Sequence, residues 1–525
     1  MSEYTIDDLR HSLGGAPAAR AGGQPPTGLV AYRARGRVLL VGEAGRVAAA
    51  SAALPEGLQP SAVVVGDGAA SGARIRPLYR ARRAELTLSG HLGDFSLQLG
   101  AAGGAQSPLA ADLVVDLLDP PLLGRRLLPD GYFQAAADAD LDALLAGLPE
   151  WIGTFEKPQY AHYVADLCAR GRRGQSGCRR CLDACPAEAI SDLIERVEID
   201  PWLCQGGGAC ATACPSGAIR YAYPPPAETL GALRERLLAG RDGAPQLLLL
   251  HDREAGAARL ENVELPAGWQ RLALEELAGA GLDLWLSALA WGAAAVLLVR
   301  GGDEPVQSLA VLDEQMAVAN AALAGLGYPP AVAFWGGDCD ADNAAMPAIP
   351  AAEYAPQGAK RADAFAALDH LWRHAPQATA LSPLPDFAPF GRIEIDAGAC
   401  TLCQSCVAVC PSGALTPGDG LPQLGFFEDR CLQCGLCRGA CPEDAIRLEA
   451  RLLNDPAARR RRRVLHEEPP FCCRSCGKPF ATRSVIERMR DKLAGHAMFS
   501  AEGALARLEM CEDCRVADMM RSGDL

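Results

Sequence analysis

Between residues 400 and 442 the chain repeats one spacing twice. Cys400, Cys403, Cys406 and Cys410 are followed by Pro411, and Cys431, Cys434, Cys437 and Cys441 by Pro442. A backbone that presents a thiol at every third or fourth residue must wrap around something the thiols share. The chain has 21 cysteines in all, mostly in tight C-x2-C groups. Its first residues, MSEYTIDDLR, hold acids and no apolar h-region, so no secretory signal is expected. Tight cysteine pairs in a reducing, cytoplasmic setting read as metal ligands, not as disulfides.

Each run is C-x2-C-x2-C-x3-C-P, which suits a four-iron cubane. Three thiolates come from one loop and the fourth reaches across from the other run. One [4Fe–4S] cluster is therefore expected on Cys400, Cys403, Cys406 and Cys441, and a second on Cys431, Cys434, Cys437 and Cys410. Structural zinc is the competing use of such cysteines, but two full runs at this separation favour clusters. From "RIEI" (Arg392–Ile395) to "IRLEA" (Ile446–Ala450) the stretch resembles the bacterial 2[4Fe–4S] ferredoxin fold, with every ligand position matched. The resemblance implies short antiparallel strands at those two phrases and one-electron transfer between two nearby clusters.

A second, altered copy lies upstream. The phrases "CPAEAI", "CPSGAI", "CPSGAL" and "CPEDAI", from Cys185, Cys214, Cys410 and Cys441, are four copies of one ending. In the first upstream run, Cys178, Cys181 and Cys185 fall in register, but Gln175 occupies the first ligand position and Cys168 is the substitute. Cys168, Cys178, Cys181 and Cys214 complete a four-thiolate set. In the next run, Cys204 and Cys210 join Cys185, and Gly207 stands where a fourth cysteine belongs. Three thiolates suit a [3Fe–4S] cluster, as in the seven-iron ferredoxins this run resembles. A labile [4Fe–4S] with a foreign ligand, or an empty site, are the alternatives.

At the C-terminus, Cys473-x2-Cys476 and Cys511-x2-Cys514 flank a helical segment in which Val485, Met489 and Leu493 share a face. Four thiolates in two knuckles suit tetrahedral zinc. Cys472 could replace Cys473, though only Cys473 keeps the spacing.

The remaining sequence is α/β in pattern. Apolar runs Val38–Val41, Ala62–Val65, Leu113–Leu117, Leu247–Leu250, Ala295–Val299 and Ala331–Trp335 read as buried parallel strands. Helices are expected at Gly45–Leu54, Ala137–Leu148, Asp283–Trp291 and Val306–Leu323. The 16 uncharged residues Leu284–Val299 fall short of the ~20 a membrane span needs and break at Gly292. The expected fold class is α/β and α+β multidomain: two ferredoxin-like dicluster modules interleaved with two parallel-sheet α/β domains, plus a small zinc-ribbon-like helical domain. The expected divisions are a disordered tail 1–27, an α/β domain 28–150, module 1 at 151–228, an α/β domain 229–385, module 2 at 386–455, and an Arg-rich linker with the zinc domain at 456–525.

Several features are set aside. His370 and His374 in "HLWRH" lack the glutamate of a metalloprotease helix. The glycines Gly42, Gly45, Gly66 and Gly68 do not complete a dinucleotide fingerprint, and Cys339 stands alone. Arg459–Arg463 reads as a solvated run that could steer an acidic partner. A net charge of -14 argues against nucleic-acid binding. The expected function is electron transfer between redox partner enzymes, without catalytic residues. The rivals are a flavin- or NAD(P)H-dependent oxidoreductase subunit using the clusters as internal wire, and a scaffold with structural clusters. "FEKPQY", "GCRRCLDACP" and "CGKPF...MCEDC" resemble a proteobacterial set of dicluster proteins often associated with formate dehydrogenase, which implies that enzyme as a possible partner.

Overall fold

A computed structural model of the chain describes residues 28–66, 75, 77–100, 108–125, 127–135, 141–239, 246–336, 346–377, 379–499 and 503–522. The tail 1–27, Gly68, Cys339 and the first residues of the helix expected from Ala137 lie outside them.

The first α/β unit is built on a five-stranded parallel sheet. Its order is Leu78–Ala81, Gln59–Val65, Arg37–Gly42, Leu113–Asp116, Tyr132–Gln134. The valine-rich runs are apolar at every position because both faces are covered. Val38, Leu40, Ala62, Val64, Leu113 and Val115 pack with Val47 and Ala50 of helix Ala44–Ala53. Leu39, Val41, Val63 and Val114 face Phe95 and Leu97. Those two belong to a three-stranded antiparallel sheet, Leu86–Ser89, Phe95–Leu99 and Leu109–Ala111. The alternation in "LTLS" and "FSLQL" marks it, and the α/β reading of the sequence passes over it. The acidic helix is described from Leu141 onward: Leu141–Gly147 tightens into a 3-10 turn, Leu148–Trp151, at Pro149. Strand Leu29–Ala34 pairs antiparallel with Gly153–Pro158, the strand that follows this turn.

The second parallel sheet has the order Trp269–Leu274, Gln246–Asp252, Ala293–Val299, Val332–Phe334. The long uncharged run breaks at Gly292, whose φ of 113° turns helix Leu282–Ala290 into strand Ala293–Val299. Among the described residues no helix is long and apolar enough to cross a membrane. Leu248, Leu250, Val296 and Leu298 share a core with Trp285 and Trp291. Ala184, Ala209 and Ala213 of the first cysteine-rich region reach the same core, as do Ala388, Phe390 and Leu452 around the second. Both cysteine-rich regions are therefore docked on one apolar body.

In the second cysteine-rich region, Gly391–Ile395 pairs antiparallel with Ile446–Leu453, where the resemblance implies strands. Leu381–Pro383 adds to the same strand from the far side of the 385/386 division. The arginine run is only partly solvated: Arg460 and Arg461 are exposed, and the others are held. Arg459 is 2% exposed and pairs with Asp369, which Arg460 also binds at 2.6 Å. Arg462 reaches Gln423 at 2.7 Å, and Arg463 pairs with Glu428. Buried carboxylates hold Arg459, Arg460 and Arg463 here. Beyond them, the hairpin Pro470–Cys472 and Pro479–Thr482 leads into helix Arg483–Leu493. That helix buries Ile486, while Met489 of the expected Val485, Met489, Leu493 face is exposed.

Candidate iron–sulfur and metal centres

Three of the cysteine runs share one loop conformation. In each, the second and fourth residues after the first cysteine are left-handed. They are Leu402 and Gln404 (φ 56° and 62°), Gln433 and Gly435 (53° and 82°), and Gly206 and Gly208 (82° and 70°). This superposes Gly207 on Cys403 and Cys434. Only glycine adopts such φ values freely, so Gly206 and Gly208 answer a backbone demand. Gly207 does not. A Cβ on it would meet nothing within 4 Å, whereas one on Gly206 would strike the Tyr160 ring at 2.8 Å. The first run differs. Gly171–Arg172 and Gln175–Ser176 form a hairpin turned by Arg173 and Gly174 (φ 52° and 76°), so exposed Gln175 lies in a strand.

The four closing phrases also share a turn. The third residue after each cysteine is left-handed: Glu188, Gly217, Gly413 and Asp444, at φ 50°, 71°, 65° and 49°. The turn aims a backbone N–H at sulfur. Ala189 donates to Cys185 Sγ at 3.3 Å, Ile219 to Cys214 Sγ at 3.5 Å, and Ala445 to Cys441 Sγ at 3.4 Å.

The thiols gather in groups that cross the runs. Burial and the neighbouring Cys214, Cys178 and Cys168 push the Cys181 thiol up to about 12. Cys168, seven residues before the regular position at Gln175, lies against the Tyr163 hydroxyl within this group. The Cys210 thiol is raised by burial and then by Cys204 and Cys185, with Cys181 and Cys214 next. In the other region, burial, Cys400, Cys403 and Cys441 push Cys406 up to about 12. These four cysteines line one small cavity. Cys434 is pushed up to about 12 by burial, Cys431 and Cys410. Four thiols crowded in low dielectric cannot all ionise without a cationic core among them. A positively charged iron–sulfur core meets that demand, so these residues fit such a group.

The two regions meet through their inner groups. Cys434 also feels the charge of Cys178. Gly177 lies so close to Leu436 that a Cβ would fall 2.7 Å from its Cγ. Arg180, beside Cys181, donates to Phe387 O.

The C-terminal set has a different scale. The Sγ atoms of Cys473, Cys476, Cys511 and Cys514 all lie within 4.8 Å of one another. Cys476 and Cys511 are 3.7 Å apart, close to the ~3.8 Å edge of a tetrahedron with metal–sulfur bonds of ~2.3 Å. Burial works to raise the Cys473 thiol, but the backbone N–H groups of Cys511, Cys476 and Ser475 bring it down to about 6. Cys472 is exposed and outside the set. The donor set and its size fit one zinc ion. Helix Arg483–Leu493 leans on the second region, where Arg488 and Lys492 reach Glu443 at 3.5 and 3.9 Å.

The set-aside features have ordinary roles. His370 is buried with Nε2 2.7 Å from Pro350 O. A Cβ on Gly42 would fall 2.7 Å from Leu117 Cβ. Two polar residues that the cysteine motifs do not announce stand beside the thiols. Lys360 donates to Ala211 O at 2.8 Å, and Arg361 to Cys431 O at 2.6 Å. Their only trace in the sequence is a basic pair opening a helix.

Two family models, each described as a 4Fe-4S dicluster domain, match residues 176–218 and 399–446. No curated protein matches the chain. The loop turns, the crossing thiol groups and these matches agree that the chain carries two ferredoxin-type 4Fe-4S dicluster domains and [4Fe–4S] clusters within them.

Proposed function

We propose that the chain passes single electrons along a row of four centres between redox proteins. The ligand sets are Cys185, Cys204 and Cys210 for a [3Fe–4S] or labile [4Fe–4S] centre, and Cys168, Cys178, Cys181 and Cys214 for a [4Fe–4S]. Cys410, Cys431, Cys434 and Cys437 hold the next, and Cys400, Cys403, Cys406 and Cys441 the last. Such a centre accepts and returns one electron without breaking a bond. The chain's own residues set the order of the row and exclude water from it.

The observation that carries this reading is the packing of Gly177, next to Cys178, against Leu436, between Cys434 and Cys437 of the other domain. Within each domain, Cys210 neighbours Cys181, and Cys437 neighbours Cys406. The row therefore runs Cys204 set, Cys178 set, Cys434 set, Cys400 set, with exchange at its two ends. Zinc on Cys473, Cys476, Cys511 and Cys514 stiffens the domain beside the Cys400 end. The division of the chain into six segments, a cytoplasmic setting and a formate dehydrogenase as one partner belong to the same proposal; the last rests on sequence resemblance alone.

Protein purified without oxygen should hold about 15–16 irons per chain by the ligand count. Its EPR signals should appear and vanish reversibly, with spin–spin broadening between neighbouring centres. A formate dehydrogenase should co-purify from anaerobic lysate. Clusters that load fully and cannot be reversibly reduced assign the metal a structural role and overturn the reading.

A further inference from the structure

Helix Lys360–Arg373 opens with two cations and has one acid, Asp363, in its first turn. A helix N-terminus favours negative charge, so Lys360 and Arg361 stand where the backbone dipole opposes them. Neither is used as a surface residue. Lys360 Nζ donates to Ala211 O at 2.8 Å and also to Thr212 O, the carbonyls just before Cys214. Arg361 points into the other domain. Its Nε donates to Asp429 O at 2.8 Å, Nη1 to Pro389 O at 3.0 Å, and Nη2 to Cys431 O at 2.6 Å. The guanidinium lies over the rings of Phe365 and Phe390, 4.9 and 4.8 Å from their centroids.

All of these acceptors are neutral carbonyls. Among the described residues neither cation has a carboxylate within 4.0 Å, and the charges they face include thiols. Arg361 faces Cys431, with Asp429 and the cation Arg459 nearby. Lys360 faces Asp283, Cys214 and Cys210, with the cation Arg180 nearby. A desolvated cation without a paired carboxylate is costly. It persists where its field has a use.

We infer that Lys360 and Arg361 form a cationic bridge that raises the reduction potentials of the two inner centres, held by the Cys178 and Cys434 sets, above those of the outer two. The inference rests on the electron-transfer reading. Reduction adds one negative charge to a centre and forms or breaks no bond, so a fixed cation nearby favours the reduced state. The adjacent residues divide the task, Lys360 toward the first domain and Arg361 toward the second. The inner pair then collects electrons from either end and lowers the step across the domain junction.

The test is an EPR-monitored redox titration of the full-length, iron-loaded chain with dithionite as reductant. Signals are assigned beforehand with Cys178→Ser and Cys434→Ser. Arg361→Gln should weaken reduction of the Cys434 centre at least tenfold, a fall of 59 mV or more for a one-electron couple. The Cys400 centre should hardly move. Arg361→Lys, which keeps the charge and loses the fork, should restore most of the shift. Lys360→Met should act in the same way on the Cys178 centre, which keeps the inference testable if Arg361→Gln loads iron poorly. Unshifted potentials at full iron content overturn the inference, as does an Arg361→Lys variant that behaves like Arg361→Gln. Wild-type centres that cannot be reversibly reduced overturn the electron-transfer reading itself, a result distinct from either.

Discussion

Gly208 and Gly279 pack backbone against backbone. A Cβ on Gly208 would lie 2.4 Å from Gly279 Cα, and its φ is 70°. This contact seats the Cys210 helix on the second α/β unit, where Thr212 Oγ1 also donates to Ala278 O at 2.6 Å. Gly208→Ala meets a rigid backbone in an unfavourable conformation. It should cost about 1–3 kcal/mol from the backbone conformation alone, with the clash adding to it. Lower thermal stability and loss of the Cys204-set signal before the others are the expected readouts.

The legible parts of this chain are those with short-range rules. The thiol spacing announced both dicluster domains, and the apolar runs announced both parallel sheets. What escaped depends on distant partners. Arg459 looks like one of five solvated arginines until Asp369, ninety residues earlier, is seen beneath it. Arg361 is ordinary in sequence because its acceptors lie at Pro389, Asp429 and Cys431. The strand Leu29–Ala34 escaped because its partner follows the whole first sheet.

Asp369 is 4% exposed and binds both Arg459 and Arg460. Asp369→Ala leaves the Arg459 guanidinium buried and unpaired, at a cost of about 3–5 kcal/mol. Replacing both partners with apolar residues of similar size should cost far less. Denaturant unfolding of the single and double variants checks the difference.

Glu276 follows strand Trp269–Leu274 at its carboxyl end. Desolvation, together with Asp252, Glu275, Glu254 and Asp303, pushes its carboxyl up to about 7. The folded pKa lies above the unfolded value, so below about 4.5 the group is protonated in both states. As pH rises from there toward 7, the unfolded state ionises first and stability falls. Above 7 the loss is complete. Glu276→Gln should therefore raise the melting temperature at pH 8 more than at pH 5, and equal gains at both would contradict the assignment.

Cys476→Ser should abolish the zinc binding proposed for the C-terminal set and leave the iron content and EPR signals unchanged. Metal analysis of the full chain separates the two pools. A matching fall in iron would place the C-terminal cysteines in the electron path.

Gly207 offers the sharpest test of the altered site. Its neighbours are glycine for reasons of backbone and space, since Gly206 sits under Tyr160 and Gly208 against Gly279. Gly207 has neither a left-handed φ nor any atom within 4 Å of an added Cβ. Gly207→Cys should therefore fold without strain and present its sulfur where Cys403 and Cys434 present theirs. A corner iron without a protein thiolate leaves most easily on oxidation, so air-exposed wild type should show the EPR signal of an oxidised three-iron centre. The variant should lose that signal and gain about one iron per chain, as the four-cysteine rule requires. Gly207→Ala adds the Cβ without the sulfur and should keep the three-iron signal, which separates ligation from any effect of filling the space. A Gly207→Cys protein that keeps the signal would mean that the shared turn does not aim this position at the Cys204 set.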